Sequence, residues 1–230
     1  VGALPSLRDP PTAGEIWPAL HRSFYERPVT ELAAALLGTT LLSEDDDGLT
    51  GGAIVEAEAY GGPEDRASHA RAGLTRRTAP MFGPAGHAYV YLIYGLHSCV
   101  NVVGEGDATP GAVLIRALEP RIGLDLIRAR RGAAAGPDAR LCAGPARLCQ
   151  ALGVTRALDG HDLTAGARLW ISGGAPDAVA SSRMRPSEIL TGPRIGVSYA
   201  EGDWAARPWR FGVRGSASLS RPFPREPQSA

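Results

Sequence analysis

The chain has 230 residues, 44% hydrophobic and 21% charged, which suits a globular protein with a sizeable core and excludes a disordered or fibrous one. Its 24 basic residues balance 24 acidic ones, so the molecule as a whole offers no bulk attraction to nucleic acid. Every basic residue is an arginine, which excludes a lysine Schiff base or a lysine-dependent phosphate loop.

In chain order, residues 1–16 read as a flexible tail, and VGALPSLRDPPTAGE has neither the basic start nor the apolar stretch of a secretory signal. No later apolar run is long enough to span a bilayer, so a soluble intracellular protein is expected. A single domain is expected over 17–217. RPVTELAAALLGTTLL reads as a short helix capped by Thr30 and stopped by Gly38, leading into a strand. EDDDG is a turn and LTGGAIVEAEAY the return strand. A long loop punctuated by Gly and Pro follows, GGPEDRASHARAGLTRRTAPMFGPAGH. AYVYLIYGLH alternates like a strand and stops at Gly95 in a hairpin turn; it holds Tyr89, Tyr91 and Tyr94, half of the tyrosines. CVNVV and GAVLIRALEP look like further strands, joined by the loop GEGDATPG. RIGLDLIRARRG has helical spacing, and ARLCAGPARLCQALG is a helical pattern interrupted at Gly144-Pro145. Strands resume at ARLWISG, RIGVS and WRFGVRG, and 218–230 reads as a second flexible tail. Strands outnumber helices and are joined by short turns. The expected class is therefore α+β: one domain with a mostly antiparallel curved β-sheet, flanking helices and a protruding β-hairpin.

Glu56 and Glu58 are two apart, so on a strand they share one face with Ile54, while Val55, Ala57 and Ala59 make the other face small and apolar. Read plainly, this is a half-exposed strand with two glutamates toward solvent. Tyr60, next on that face, leads into a stretch from Arg66 to Gly104 without one Asp or Glu. That stretch holds Arg66, Arg71, Arg76 and Arg77 and three of the five histidines. It is either a solvated basic face or a local nucleic-acid site beside an aromatic hairpin. A carboxylate near arginine and aromatic rings suits a general base that activates water. Arg116, between apolar residues on its strand, needs an anion; Glu58 is one candidate, with Glu119 or solvent as alternatives. Asn101 is the only asparagine, and a specific hydrogen-bonding role or a turn would each account for it. Cys99, Cys142 and Cys149 form no C-x-x-C pair and have no zinc-ligand spacing. Buried or free thiols are expected, with no metal and no cofactor. The glutamates could instead serve a glycoside hydrolase, but carboxylates from one strand face the same way, whereas those of glycosidases flank the scissile bond.

VEAEAYGGPEDRASHA, MFGPAGHAYVYLIYGLHSCVN, LIRALEP and LCAGPARLCQALG, in that order, resemble the successive motifs of the alkyladenine (3-methyladenine) DNA glycosylases. GPRIGV and WAARPWRFGVRG extend the resemblance from about Tyr25 to about Gly215. It implies a monofunctional base-excision enzyme that flips alkylated purines, with deaminated or etheno purines as further candidates, and leaves an abasic site. On matching positions, Glu58 falls at the general base and Arg116 at the arginine that helps hold the attacking water. Tyr60, His69 and Tyr91 fall where aromatic rings sandwich the extruded base. Asn101 matches the residue that rejects guanine by crowding its exocyclic amine. Tyr94 matches the hairpin tyrosine that enters the minor groove, where a flat ring beside a turn acts as a wedge into the base stack. Arg71, Arg76, Arg77 and Arg147 are expected on the DNA backbone, Arg147 standing where a lysine is common. The implied partner is double-stranded DNA containing damaged purines, bound by a monomer that is intracellular and DNA-associated, in the cytoplasm or nucleoid if the source is bacterial. His97 departs from the pattern, standing where some members carry tyrosine, and the loop between Asn101 and Arg116 is slightly long. A non-catalytic lesion-binding protein would share the charge, tyrosines and hairpin; only Glu58 with its arginine separates the two.

Overall fold

The computed structural model describes residues 17–106, 109–173 and 185–224. The tail expected at 1–16, the end of the second tail and part of the loop GEGDATPG lie outside the described residues. In chain order the elements are α1 (Val29–Leu36), β1 (Thr40–Asp45), β2 (Gly48–Tyr60), β3 (Ala88–Ile93), β4 (His97–Val103) and β5 (Ala112–Ile122). Then come α2 (Leu124–Arg131), α3 (Asp138–Leu141), α4 (Pro145–Leu152), β6 (Leu169–Ser172), β7 (Ile189–Gly192) and β8 (Arg210–Val213). The strands form one sheet in the order β3-β4-β5-β2-β1-β6, with β8 pairing both β2 and β7. All of these pairings are antiparallel, so the fold is α+β as expected. Among the described residues no helix is long and apolar enough to cross a membrane.

Strand β2 is the spine. It pairs β5 along most of its length, β1 along its first half, and β8 at Glu56–Glu58. A Cβ on Gly52 would meet the Glu119 carbonyl oxygen at 2.3 Å, so only glycine lets the two backbones pass so closely there. The β2–β5 register slips between Ile54 and Ala57, the signature of a bulge. This corrects the simple alternation. Ile54 joins Ala57 and Ala59 in the main core instead of sharing a face with the glutamates. Leu32 and Leu36 of α1 and Leu148 and Leu152 of α4 complete that core with Val113 and Ile115 of β5. Each such side chain removed from water contributes about 1.5–3 kcal/mol. Both faces of β2 are covered, so Glu56 and Glu58 have no exposed surface and the half-exposed strand is overturned.

Three further expectations change. Helix α1 is not capped by Thr30, which lies within it; Pro28 holds the N-cap position, and the Val29 amide donates to the Glu105 carboxylate at 3.2 Å. RIGVS is a turn rather than a strand, because Gly196 takes φ +79° and the Ile195 amide is diverted to Glu58. The strand of this region is β7, just before it. Beyond the expected boundary at 217, Ser218 is buried and Ser220 bonds to Glu56, while Arg221, Pro222 and Pro224 are exposed. The break at Gly144-Pro145 holds, with Pro145 opening α4 where its missing N–H is tolerated. Cys99, Cys142 and Cys149 are free and buried.

Candidate active site

Register pairs set Glu58 opposite Leu114, Leu114 opposite Asn101, and Asn101 opposite Tyr89. One row of residues therefore crosses β2, β5, β4 and β3. Residues two places along a strand share its face, which adds Tyr60, Arg116, Cys99 and Tyr91. This face walls a cavity of about 460 Å³, to which Tyr60, Tyr91, Asn101 and Arg116 contribute from the sheet. His69, opening a short 3₁₀ turn, and the turn at Ile195–Val197 line it from outside the sheet.

Glu58 stands immediately behind this wall. Its Oε2 accepts from the Tyr60 hydroxyl at 2.9 Å and from Arg116 Nη1 at 3.2 Å, and its Oε1 accepts from the Ile195 amide at 2.6 Å. A carboxylate has about four acceptor sites, so one remains open. Burial, and then the Glu58 charge, push the Tyr60 phenol well above its ordinary pKa, so it stays protonated and donates to the carboxylate. Burial alone would weaken the Arg116 charge, but Glu58 and Glu56 outweigh it and hold that pKa above its usual value.

Glu56 fixes the other side of the same guanidinium. Its Oε1 accepts from Arg116 Nε at 3.1 Å, Arg210 Nε at 2.8 Å and the Ser220 hydroxyl at 2.8 Å, while the Ser220 amide reaches Oε2. Two buried carboxylates thus meet two buried arginines, and neither sign is left uncompensated, which would cost several kcal/mol. Of the partners open to Arg116 from sequence, Glu58 is taken and Glu119 pairs with Arg121 instead.

The aromatic wall is tied together by hydrogen bonds. His69 Nδ1 lies 2.9 Å from the Tyr89 hydroxyl, and Arg77 Nη2 lies 3.3 Å from His69 Nε2. Arginine can only donate, so Nε2 accepts and Nδ1 carries the proton toward Tyr89. Burial, helped by the Arg77 charge, lowers the His69 pKa to about 4, leaving the ring neutral near pH 7. The ring meets Tyr91 edge-on, with centroids 4.7 Å apart. Asn101 is buried and donates from Nδ2 to the Tyr89 carbonyl at 2.9 Å, which sets the orientation of its amide.

Tyr94 sits at the rim with φ +53°, followed by Gly95 at +69°, and the Leu96 amide closes the turn on the Ile93 carbonyl. Two left-handed residues in succession match a hairpin turn that favours Asn or Gly. The Tyr94 ring is nonetheless 86% exposed, and Leu96 beside it is 77% exposed. Of the arginines, Arg77 lines the cavity itself, Arg71 lines an adjoining hollow of about 420 Å³ with Arg66 and Arg77, and Arg76 is exposed on the same loop. Arg147 is exposed in the first turn of α4.

Sequence reasoning missed the supports. Asp65 and Arg194 form a fully buried ion pair at 2.6 Å, and Arg194 also lies 4.8 Å from the Tyr60 ring centroid and donates to the Ala59 carbonyl. The pair holds the Tyr60 wall and the turn that supplies the Ile195 amide. Its only trace in sequence is that Asp65 is the last acid before the acid-free stretch. Arg210 and Ser220 leave no local trace, because their partner lies 154 and 164 residues away. Among the described residues no group of three or more His, Cys, Asp or Glu could hold a metal ion.

The family described as methylpurine-DNA glycosylase matches residues 23–217. Similar proteins carrying the designation 3-methyladenine DNA glycosylase include one from Rhodopseudomonas palustris (strain HaA2), 47% identical over 93% of this chain and 96% of its own length. Another, from Methanocella arvoryzae, is 45% identical over 90% of this chain and 98% of its own. A third, from Anaeromyxobacter dehalogenans (strain 2CP-C), is 48% identical over 89% and 88%.

Proposed function

Since the chain belongs to the methylpurine-DNA glycosylase family, and so is a DNA N-glycosylase, a hydrolase of base excision repair, we propose that it acts as a monomer that flips 3-methyladenine and related damaged purines out of duplex DNA and cuts them off with a Glu58-activated water. The observation that carries this reading is the placement of Glu58: fully buried, yet bonded to Tyr60 and Arg116, which both line the cavity. A water entering between those two side chains would meet the acceptor site that Glu58 still has open.

The step balances simply. The C1′–N bond breaks with its electron pair leaving on the base, water oxygen bonds to C1′, and Glu58 takes the water proton. The Glu58 charge also favours the positive sugar that forms as the base departs. An N-alkylated purine is already cationic while bonded to the sugar and departs as a neutral base, so it needs little acid catalysis. No lysine is present to capture the sugar as a Schiff base, so an abasic site is the product. Tyr60, His69 and Tyr91 hold the base between ring faces, and electron-rich faces favour a cationic purine. Asn101, its amide fixed by Tyr89, crowds the exocyclic amine of guanine. Tyr94 occupies the gap in the stack, and Arg71, Arg76, Arg77 and Arg147 take backbone phosphates. Deaminated and etheno purines, being uncharged, are slower substrates on this account.

Purified protein mixed with duplexes carrying a methylated purine, an ethenoadenine or a hypoxanthine should release free base and leave alkali-labile sites, with undamaged guanine retained. Tight lesion binding without release from any duplex would transfer the reading to a non-catalytic lesion-binding protein.

A further inference from the structure

Arg77 occupies an unusual position for a surface arginine on a basic loop. Its guanidinium carbon lies 5.5 Å from the Tyr91 ring centroid, and its Nη2 is 3.3 Å from His69 Nε2. These are two of the three side chains that the proposed function assigns to gripping the flipped base. The cation site of the cavity is therefore filled by the protein's own cation. Arg77 also lines the adjoining hollow, which it shares with Arg66, Arg71, Ser68 and Thr75. One exposed side chain thus borders both spaces.

Two positive groups cannot share one ring face in a partly desolvated site without strong repulsion. A cationic purine and the Arg77 guanidinium compete for the same attraction to Tyr91. A neutral ring of the same size competes only for space. The hollow offers the guanidinium an alternative, since its basic and hydroxyl-bearing lining suits a phosphate, which would draw the arginine away. Resting on the reading of the cavity as the base pocket, we propose that Arg77 is a charge guard: it holds the cation site on Tyr91 and His69 in the free protein and yields it when a DNA phosphate binds the adjoining hollow. The pocket then becomes selective for cationic bases only once DNA is seated, and loose cations are kept out. Arg77 is by this account a specificity residue, not merely one of several backbone contacts.

The test uses the full chain without DNA, so that a plain backbone role cannot contribute. N-methylquinolinium, a permanent cation, and quinoline, its neutral counterpart at pH 7.5, are titrated into wild type, Arg77→Met and Arg77→Lys. Arg77→Met should bind N-methylquinolinium roughly fivefold or more tightly than wild type, with quinoline changed less than about twofold. Arg77→Lys, which keeps the charge, should stay near wild type. Inorganic phosphate, compared with chloride at equal ionic strength, should tighten N-methylquinolinium binding to wild type but not to Arg77→Met. Equal gains for both probes in Arg77→Met would make the arginine a steric cover and overturn the guard, as would unchanged binding or no binding of the cation to Arg77→Met. These outcomes are separable from the glycosylase reading, which stands or falls on base release from damaged duplexes.

Discussion

Tyr94 joins a left-handed backbone to a ring that lies almost entirely in solvent. A non-glycine residue in that conformation costs on the order of 1–3 kcal/mol, and an exposed ring recovers little of it by packing. Tyr94→Gly should therefore stabilise the protein by about 1 kcal/mol in urea unfolding. The same variant should lose the fluorescence change of 2-aminopurine placed beside a lesion, because the wedge is gone. If stability and fluorescence both stay as in wild type, the residue is neither strained nor a wedge. His69 makes a second prediction at this scale. The unfolded chain's histidine binds a proton near 6.5, while the folded one does so only near 4. Between those values the unfolded state holds more protons, so this contribution is intact above pH 6.5 and is lost as pH falls toward 4. Unfolding measured at pH 7 and pH 4.5 should show a smaller loss in His69→Gln than in wild type. An equal loss would mean that the ring is not buried neutral.

At the scale of elements, the segment after β8 is a strap. Ser220 gives Glu56 two hydrogen bonds, and the Phe223 ring lies 3.8 Å from the Arg210 guanidinium carbon. Ending the chain at Ala217 removes both and loosens the carboxylate that orients Arg116. Stability should drop by at least about 2 kcal/mol, since bonds to charged groups are worth roughly 1.5–3 kcal/mol each. Excision should slow while lesion binding persists. Unchanged stability and rate would make the strap incidental. Sequence reading missed it because a stretch rich in Ser, Pro and Arg has no periodicity to reveal what it packs against. The hairpin of β3 and β4 was legible for the opposite reason: its alternation and Gly95 are local signals. The bulge in β2 was not, since a register slip is set by the partner strand. RIGVS has strand-like composition, yet Glu58 needed a backbone donor and Gly196 allowed the turn that provides one.

For the whole molecule, a net charge of zero offers no bulk attraction for DNA, so any attraction must come from local basic residues. If Arg71, Arg76, Arg77 and Arg147 each neutralise one phosphate, log affinity should fall with log salt at a slope of about −3.6, from about −0.9 per contact. Arg147→Ala should make the slope shallower by about 0.9, and an unaltered slope would remove that residue from the interface. The site as a whole was readable to the extent that it lies on strands in sequence order. Glu58, Tyr60, Tyr91, Asn101 and Arg116 fall on segments that read as strands, and sheet pairing brings them together. Its braces, Asp65–Arg194 and Glu56–Arg210–Ser220, join distant segments through charges that any sequence carries in plenty.

Glu58 is proposed to activate the attacking water. The direct measurement is the single-turnover rate of base release from a duplex with one methylated purine, for wild type and Glu58→Gln, with lesion affinity determined on the same preparations. Loss of a general base predicts a rate lower by about 10²–10⁴-fold with affinity close to wild type. Release at the wild-type rate by Glu58→Gln would show that Glu58 is not the general base.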